Sequence, residues 1–286
     1  MDYNEFKNRL IGLVRERIEG EAFFVTRRKN NRTEKEGICM QKPDGTHQTV
    51  VYTEELYDDG LQEGKLGIMA DRLACVFRNA ENIPGADCLC DWDYVKDKLQ
   101  IRPVKKAWNE EELETRVYRE YLDFAVTLAA ELGMEEDRSG SVPVEKSALE
   151  AWNVSEETVY RKAWENLYRE RYYLVPIERL LPEGYPAAET EMHMLTRGNR
   201  LYGAGLLFRE DIFRRLAKEQ GGNIYILPSS VHELVLIRQE KDMDAGELRG
   251  IVELVNQDSA LLKPEEKLSD NVYVYDRENR EIRIAL

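Results

Sequence analysis

The stretch NIYILPSSVHELVLI, residues 223–237, decides the fold class. NIYIL (223–227) and ELVLI (233–237) are short and apolar with β-branched residues, the composition of buried strands. They bracket Pro-Ser-Ser-Val-His, a connection too short for the crossover a parallel pair needs. Upstream, residues 209–219 space Ile212, Phe213, Leu216 and Ala217 along one helical face, and Gly221-Gly222 closes that helix. Downstream, Asp244 is placed to cap a helix carrying Leu248, Ile251, Val252 and Val255. VYVY and IRI then predict a terminal hairpin, and EMHMLT (191–196) a strand before the turn RGNR.

Further towards the N-terminus, LDFAVTLAAEL (122–132) reads as a buried strand, with helix as the alternative because Ala, Leu and Glu favour it. Helices are expected at 145–152 and 155–169, the second capped by Ser155 with Glu156 and Glu157 in its first turn. QIRPVKKAW predicts an edge strand, since Pro103 cannot donate to a ladder. The chain opens with an amphipathic helix carrying Phe6, Leu10, Leu13 and Val14 on one face. AFFVT, GICMQK and HQTVVYT follow as a three-stranded antiparallel meander packed on it, with the basic run Arg27 to Arg32 in a solvated loop and Pro43 to Thr46 in a turn. Thr53 resembles a helix start, and Leu66, Met69, Leu73 and Phe77 mark a helix ending before Pro84. The expectation is an α+β protein with antiparallel sheets and helices packed on them. It divides into an N-terminal sheet-plus-helix unit, residues 1–108, and a larger C-terminal unit, 109–286.

The candidate chemistry starts in the same stretch. Ser229, Ser230, His232 and Glu233 supply hydroxyls, an imidazole and a carboxylate, the groups of hydrolytic catalysis. Triad members usually converge from separate segments, and no Gly-x-Ser-x-Gly elbow is present. The structural alternative is a connection whose side chains satisfy its own backbone. The second candidate is a binding helix. Tyr160, Trp164 and Tyr168 recur every four residues, among Arg161, Arg169 and Arg171. Aromatic and Arg side chains favour interfaces and stack on bases. The competing reading makes the stripe an ordinary core face.

Other patterns carry less. Cys88-Leu89-Cys90 lacks the spacing and second pair of a zinc site, and His47, His193 and His232 are scattered, so no metal is expected. Pro43-Asp44 with Glu63-Gly64-Lys65 mimics a metal-nuclease pattern, but the acid sits in a turn and the Glu-Gly-Lys between two helices. Gly203-Ala204-Gly205 lacks the third glycine of a dinucleotide fingerprint and predicts close backbone packing instead. No cofactor is expected.

The 286 residues are 42% hydrophobic and 34% charged, enough for a core beneath a heavily solvated surface. A formal net charge of −14 disfavours non-specific nucleic-acid binding, which needs Lys and Arg to displace counterions. It suits a basic protein partner, mimicry of nucleic acid being one version. Four cysteines are too few for a disulfide scaffold, and MDYNEFKNRL is unlike a signal peptide. No run reaches the roughly 18 apolar residues of a membrane helix. A cytoplasmic location is expected.

In order, DFAVTLAAELG, NVSEETVYRKAWENL, LYGAGLLF and GGNIYILPSSVHELVLI resemble the uncharacterised YtpQ-like proteins of Firmicutes, over about residues 120–240. The chain resembles more closely a related family of unknown function common in gut Clostridia, whose members also begin like MDYNEFKNRL. The resemblance implies a compact bacterial cytoplasmic α/β protein and carries no activity with it. The YtpQ-like pattern has an Arg-Asp pair where this chain has Ser230-Val231. The leading expectation is a non-enzymatic interaction or regulatory protein with a protein partner. The alternatives are a hydrolase around Ser229–Glu233 and a single-stranded nucleic-acid binder using the aromatic-Arg helix. Oligomeric state is left open.

Overall fold

The computed structural model describes residues 1–41, 48–58, 63–79, 86–135, 138–180 and 191–285. The chain divides into two compact units, Met1–Val95 with Leu132–Gly140, and Lys96–Glu131 with Ser141–Leu286. The division falls at Val95/Lys96, where the sequence reading set its boundary after Trp108.

In the first unit, helix α1 (Tyr3–Arg15) starts where the Asp2 carboxylate accepts the Glu5 N–H at 2.8 Å. It buries Phe6, Leu10, Ile11 and Val14. Strands β1 (Glu21–Arg28), β2 (Glu34–Gln41) and β3 (Gln48–Tyr52) form the expected antiparallel meander, in the order β1-β2-β3. β1 and β2 run further into the charged segment than their apolar residues suggest. Arg28 pairs with Glu34, and the left-handed residues Asn31 and Arg32 make the turn. Helix α2 (Glu63–Asn79) adds Leu66, Leu73 and Phe77 to a core that includes Phe6, Leu10, Val14, Ile38 and Met40. Burying such side chains contributes about 1.5–3 kcal/mol each. Thr53 does not cap a long helix. Only a single 3-10 turn, Glu54–Leu56, follows it, because the buried Thr53 hydroxyl hydrogen-bonds the Glu36 carbonyl and the Tyr3 hydroxyl. The expected turn at Pro43–Thr46 and the helix stop before Pro84 lie outside the described residues. The short helices α3 (Ala86–Leu89) and α4 (Trp92–Val95) complete the unit's elements in chain order.

The second unit contains a sheet of β4 (Leu99–Lys105), β5 (Tyr118–Tyr121) and β6 (Phe124–Glu135) in the order β4-β6-β5, with β7 (Arg138–Pro143) also pairing with β6. The outer ends of β6 and β7 group with the first unit. β6 settles the strand-or-helix choice at 122–132 in favour of strand, and Pro103 does sit on an edge strand. Helix α5 (Glu110–Leu113) is one turn, and the Asn109 amide donates to the Lys105 carbonyl rather than capping it. Helix α6 (Lys146–Trp152) precedes α7 (Glu156–Arg169), whose Ser155 hydroxyl accepts the Thr158 N–H at 3.3 Å.

A six-stranded antiparallel sheet forms the rest of the unit's framework. Its order is β13-β12-β10-β11-β9-β8, with β8 Tyr172–Pro176, β9 Met192–Arg197, β10 Ile224–Leu227, β11 Glu233–Arg238, β12 Tyr273–Asp276 and β13 Glu281–Ile284. Helix α8 (Glu210–Gln220) turns Ile212, Phe213, Leu216 and Ala217 inward and ends at Gly221, whose φ of 76° is left-handed. Helix α9 (Ala245–Gln257) starts where the Asp244 carboxylate accepts the Gly246 and Glu247 N–H groups. α9 buries Leu248, Val252 and Asn256, so Ile251 lies on the outer side, 54% exposed. Asn256 takes the inner position because its amide donates to the Ser269 carbonyl and the Asp270 carboxylate. Among the described residues no helix is long and apolar enough to cross a membrane.

Candidate functional site

The buried 3-10 segment Gly203–Phe208 packs beside a group of charged side chains in the second unit. The Gly203 N–H donates to the His232 carbonyl at 2.9 Å, and a Cβ at Gly203 would stand 2.4 Å from that oxygen. At Gly205 a Cβ would stand 2.4 Å from the Ile101 carbonyl oxygen. The two glycines therefore let the segment lie directly on the backbone of β4 and of the 228–232 connection, the packing role expected of them.

Around this contact β4, β6 and β9 bring together charged side chains. Arg197 is buried, its Nε 2.6 Å from Glu170 and its Nη2 3.6 Å from Glu131. Glu131 also accepts from the Asn199 and Gln100 amides. Burial raises the Glu170 carboxyl above its usual range despite the Arg197 charge, and Glu131 adds to the effect. Arg102 is different. Its Nε and Nη2 donate to the Gln100 side-chain oxygen Oε1 at 3.3 and 3.0 Å, and its Nη1 to the Ser141 hydroxyl at 2.7 Å. The guanidinium carbon lies 3.5 Å from the centre of the Tyr202 ring. Burial pushes Arg102 down to about 10, a cation held by neutral groups. His232 also lies against Tyr202, with ring centres 5.1 Å apart. His232 Nδ1 accepts the Tyr202 N–H at 3.1 Å, which puts the proton of the neutral ring on Nε2. Burial, then the charges of Arg102 and Lys263, lower the His232 pKa.

The serines beside His232 serve the connection itself. The buried Ser230 hydroxyl accepts the His232 backbone N–H at 3.0 Å, and the Ser229 hydroxyl donates to Glu233 at 3.4 Å. Neither hydroxyl hydrogen-bonds the imidazole, so Ser229, Ser230, His232 and Glu233 are neighbours without a nucleophile–base contact. The aromatic helix also divides. Tyr160 is core, with its hydroxyl donating to the Val126 carbonyl at 2.6 Å and Arg119 against its ring. Trp164 is half-buried, edge-on to Phe208 at 5.5 Å. Tyr168 is exposed and carries Arg209 on its face at 4.7 Å. Arg161, Arg169 and Arg171 are exposed, but the three aromatics share no open platform for bases.

A second polar cluster was not anticipated. Asp123, in the β5–β6 turn, accepts from the Tyr273 hydroxyl at 2.7 Å, the Asn271 amide at 2.9 Å and the Ser269 hydroxyl at 3.0 Å, and pairs with Lys105. Burial would raise its carboxyl pKa, but hydrogen bonds from Lys105 and Tyr273 outweigh it and hold the group below its usual range. Elsewhere, α9 shows an apolar strip to solvent, with Ile251 at 54%, Leu254 at 68% and Leu261 just beyond the helix at 69%.

Among the described residues no cluster of His, Cys, Asp and Glu is arranged to hold a metal ion. Cys39 is buried, Cys88 half-buried, and Cys75 and Cys90 exposed. Glu63-Gly64-Lys65 opens α2, while Asp44 lies outside the described residues.

Residues 3–277 match the profile of the family of unknown function DUF5688. The chain belongs to that family. No curated protein and no solved structure matches it. For this DUF5688 chain, the sequence reading singled out none of Arg102, Glu131, Glu170, Arg197, Tyr202 and Asp123, which form the two polar clusters. Arg102 alone left a trace in the sequence, as a cation before Pro103 in the otherwise apolar start of a strand.

Proposed function

We propose that this chain is a non-enzymatic cytoplasmic interaction protein that docks a protein partner on the outer face of α9. The observation that carries the reading is the strip Ile251, Leu254 and Leu261, large side chains mostly in water on a heavily charged chain. Its surroundings define the partner. Glu240, Asp242, Asp244, Glu247, Glu253 and Asp258 outnumber Lys241 and Arg249 along this segment. A partner that matches it presents an apolar patch bordered by Lys and Arg, and the charges steer its approach. The serine–histidine connection gives a hydrolase less support, because its hydroxyls already serve the Glu233 carboxylate and the His232 amide. The motif order across residues 120–240 further supports a Firmicutes chain related to the YtpQ-like proteins.

The test compares wild type with Ile251→Ser/Leu254→Ser as bait in native bacterial lysate, read by mass spectrometry. Both sites are exposed, so stability should stay within about 0.5 kcal/mol per substitution. The expected result is a basic-patched protein retained by wild type, released by high salt and lost from the variant. Equal retention by both baits, or retention indifferent to salt, overturns the reading.

A further inference from the structure

We propose that Arg102, Tyr202 and His232 form a receptor for an oxyanion, the phosphoryl or carboxylate group of a small molecule. The argument begins with charge. Among the described residues no carboxylate lies within ion-pair distance of Arg102. The two nearby acids whose charges act on it, Glu131 and Glu170, are both paired with Arg197. Gln100 keeps this division in place: its side-chain oxygen accepts from Arg102 while its amide donates to Glu131. Every direct hydrogen-bond contact of Arg102 is neutral, so an arriving anion would supply the charge-assisted bonds that this guanidinium lacks.

The geometry also presents the cation in a usable form. Gln100 and Ser141 fix the guanidinium in plane, and Tyr202 covers one face. Among the described residues these contacts leave one N–H on Nη1 and one on Nη2 without an acceptor, the donors that grip a carboxylate or phosphate in a fork. Beside Tyr202, His232 has its Nδ1 occupied, so Nε2–H is its remaining donor. Nε2 stands 3.9 Å from Glu266, beyond hydrogen-bond reach, and Glu266 is itself 3.8 Å from Lys263. The charged groups facing the imidazole are therefore Arg102 from β4, and Lys263 and Glu266 from the 263–266 turn. Lys263 and Glu266 offset one another, so the donors that suit an anion are the fixed Arg102 guanidinium and the neutral imidazole.

The experiment follows the imidazole signals of the full chain by NMR. It has only three histidines, and the His232 signal is assigned with His232→Asn. Inorganic phosphate and, separately, succinate are titrated at constant pH and ionic strength. The expected result is a saturable shift of the His232 signal with at least one anion and none at His193. The His232 pKa should rise in the saturated state, and the response should vanish in Arg102→Gln. Saturation by phosphate alone assigns a phosphoryl ligand, and by succinate alone a carboxylate. If Arg102→Gln does not fold, Arg102→Lys keeps the charge without the fork and should bind about ten-fold more weakly, the worth of one charged hydrogen bond. Failure of both anions to saturate, or a variant that binds like wild type, overturns the proposal.

Discussion

Asp123 and Glu170 are partly buried carboxylates in the same unit, and their surroundings move their acidities in opposite directions. Asp123 accepts from a lysine, a tyrosine, a serine and an asparagine, so its charge is satisfied and its pKa is lowered. Glu170 has Arg197 as its partner, feels Glu131 as well, and its pKa is raised. Both clusters contain basic and hydroxyl side chains, so composition does not separate them. What differs is whether hydrogen-bonding capacity is used up. The Asp123 cluster closes on itself and joins the β5–β6 turn to residues 269–273. The cluster around the Gly203–Phe208 segment leaves Arg102 facing only neutral oxygens. A closed network holds the fold together, whereas spare capacity is available to a ligand.

The largest effect expected from this contrast comes at Asp123. Asp123→Ala strips the acceptor from Lys105, Tyr273 and Asn271 at once and leaves a cation half-buried. Removing one partner of such a pair costs about 3–5 kcal/mol. Urea unfolding followed by circular dichroism should show that loss as a lower midpoint with an unchanged slope. A loss below about 1 kcal/mol, the usual value for a single hydrogen bond, would make the cluster an ordinary surface network and break the comparison.

The sequence was readable where the signal is local. α7 and α8 follow from apolar spacing with Ser155 at the start of one and Gly221 at the end of the other, and β10 and β11 from short apolar runs. Ile251 shows where this stops. α9 carries Leu248, Ile251, Val252, Leu254 and Val255, apolar on more than one side, so periodicity alone does not say which stripe faces the core. The choice is made by Asn256, whose amide reaches Ser269 and Asp270, a contact no local pattern contains. The Asp123 cluster was invisible for the same reason. It joins residues 105, 123, 269, 271 and 273, and nothing in sequence marks Asp123 among 55 acidic residues. Ser229 to Glu233 are the opposite case, where proximity in sequence left two readings open. Their closeness in sequence suggested chemistry, but a short connection spends its hydroxyl and amide groups on its own turn.

A smaller effect tests the scaffold of the open cluster. Gly205→Ala places a methyl 2.4 Å from the Ile101 carbonyl oxygen, backbone against backbone, and should cost about 1–3 kcal/mol as β4 and the segment separate. Gly250→Ala provides the opposite sign. No atom stands within 4 Å of its added Cβ, and it lies inside α9, where Ala is favoured over Gly by about 0.5–1 kcal/mol. Thermal melts of the two variants should therefore move in opposite directions. If Gly205→Ala melts with wild type, the segment is not clamped on β4, and the fixed position of Arg102 beside Tyr202 loses its support.

The smallest effect lies in the pH dependence, and there the sign separates the two carboxylates. Asp123 has a lowered pKa, so the unfolded chain binds its proton first as the solution is acidified. Its contribution is complete above about pH 3.9 and is lost as pH falls through the folded value. Glu170 has a raised pKa, so the folded chain keeps its proton longer as pH rises. Stability then declines from about pH 4.3 up to the folded value and stays reduced above it. Glu170→Gln removes that decline. Urea midpoints of the variant minus those of wild type should climb as pH rises from about 4.3, on top of any constant offset from the lost Arg197 pair. Asp123→Asn should show its deficit undiminished at neutral pH and shrinking below about pH 3.9. His232, whose pKa is lowered, adds a loss of stability below about pH 6.5 that wild type and both variants share, so it cancels in these differences. A flat difference for Glu170→Gln would mean that Arg197 satisfies Glu170 as fully as Lys105 and its neighbours satisfy Asp123. The open cluster would then have no spare capacity on its acidic side, and Arg102 alone would distinguish it from the closed one.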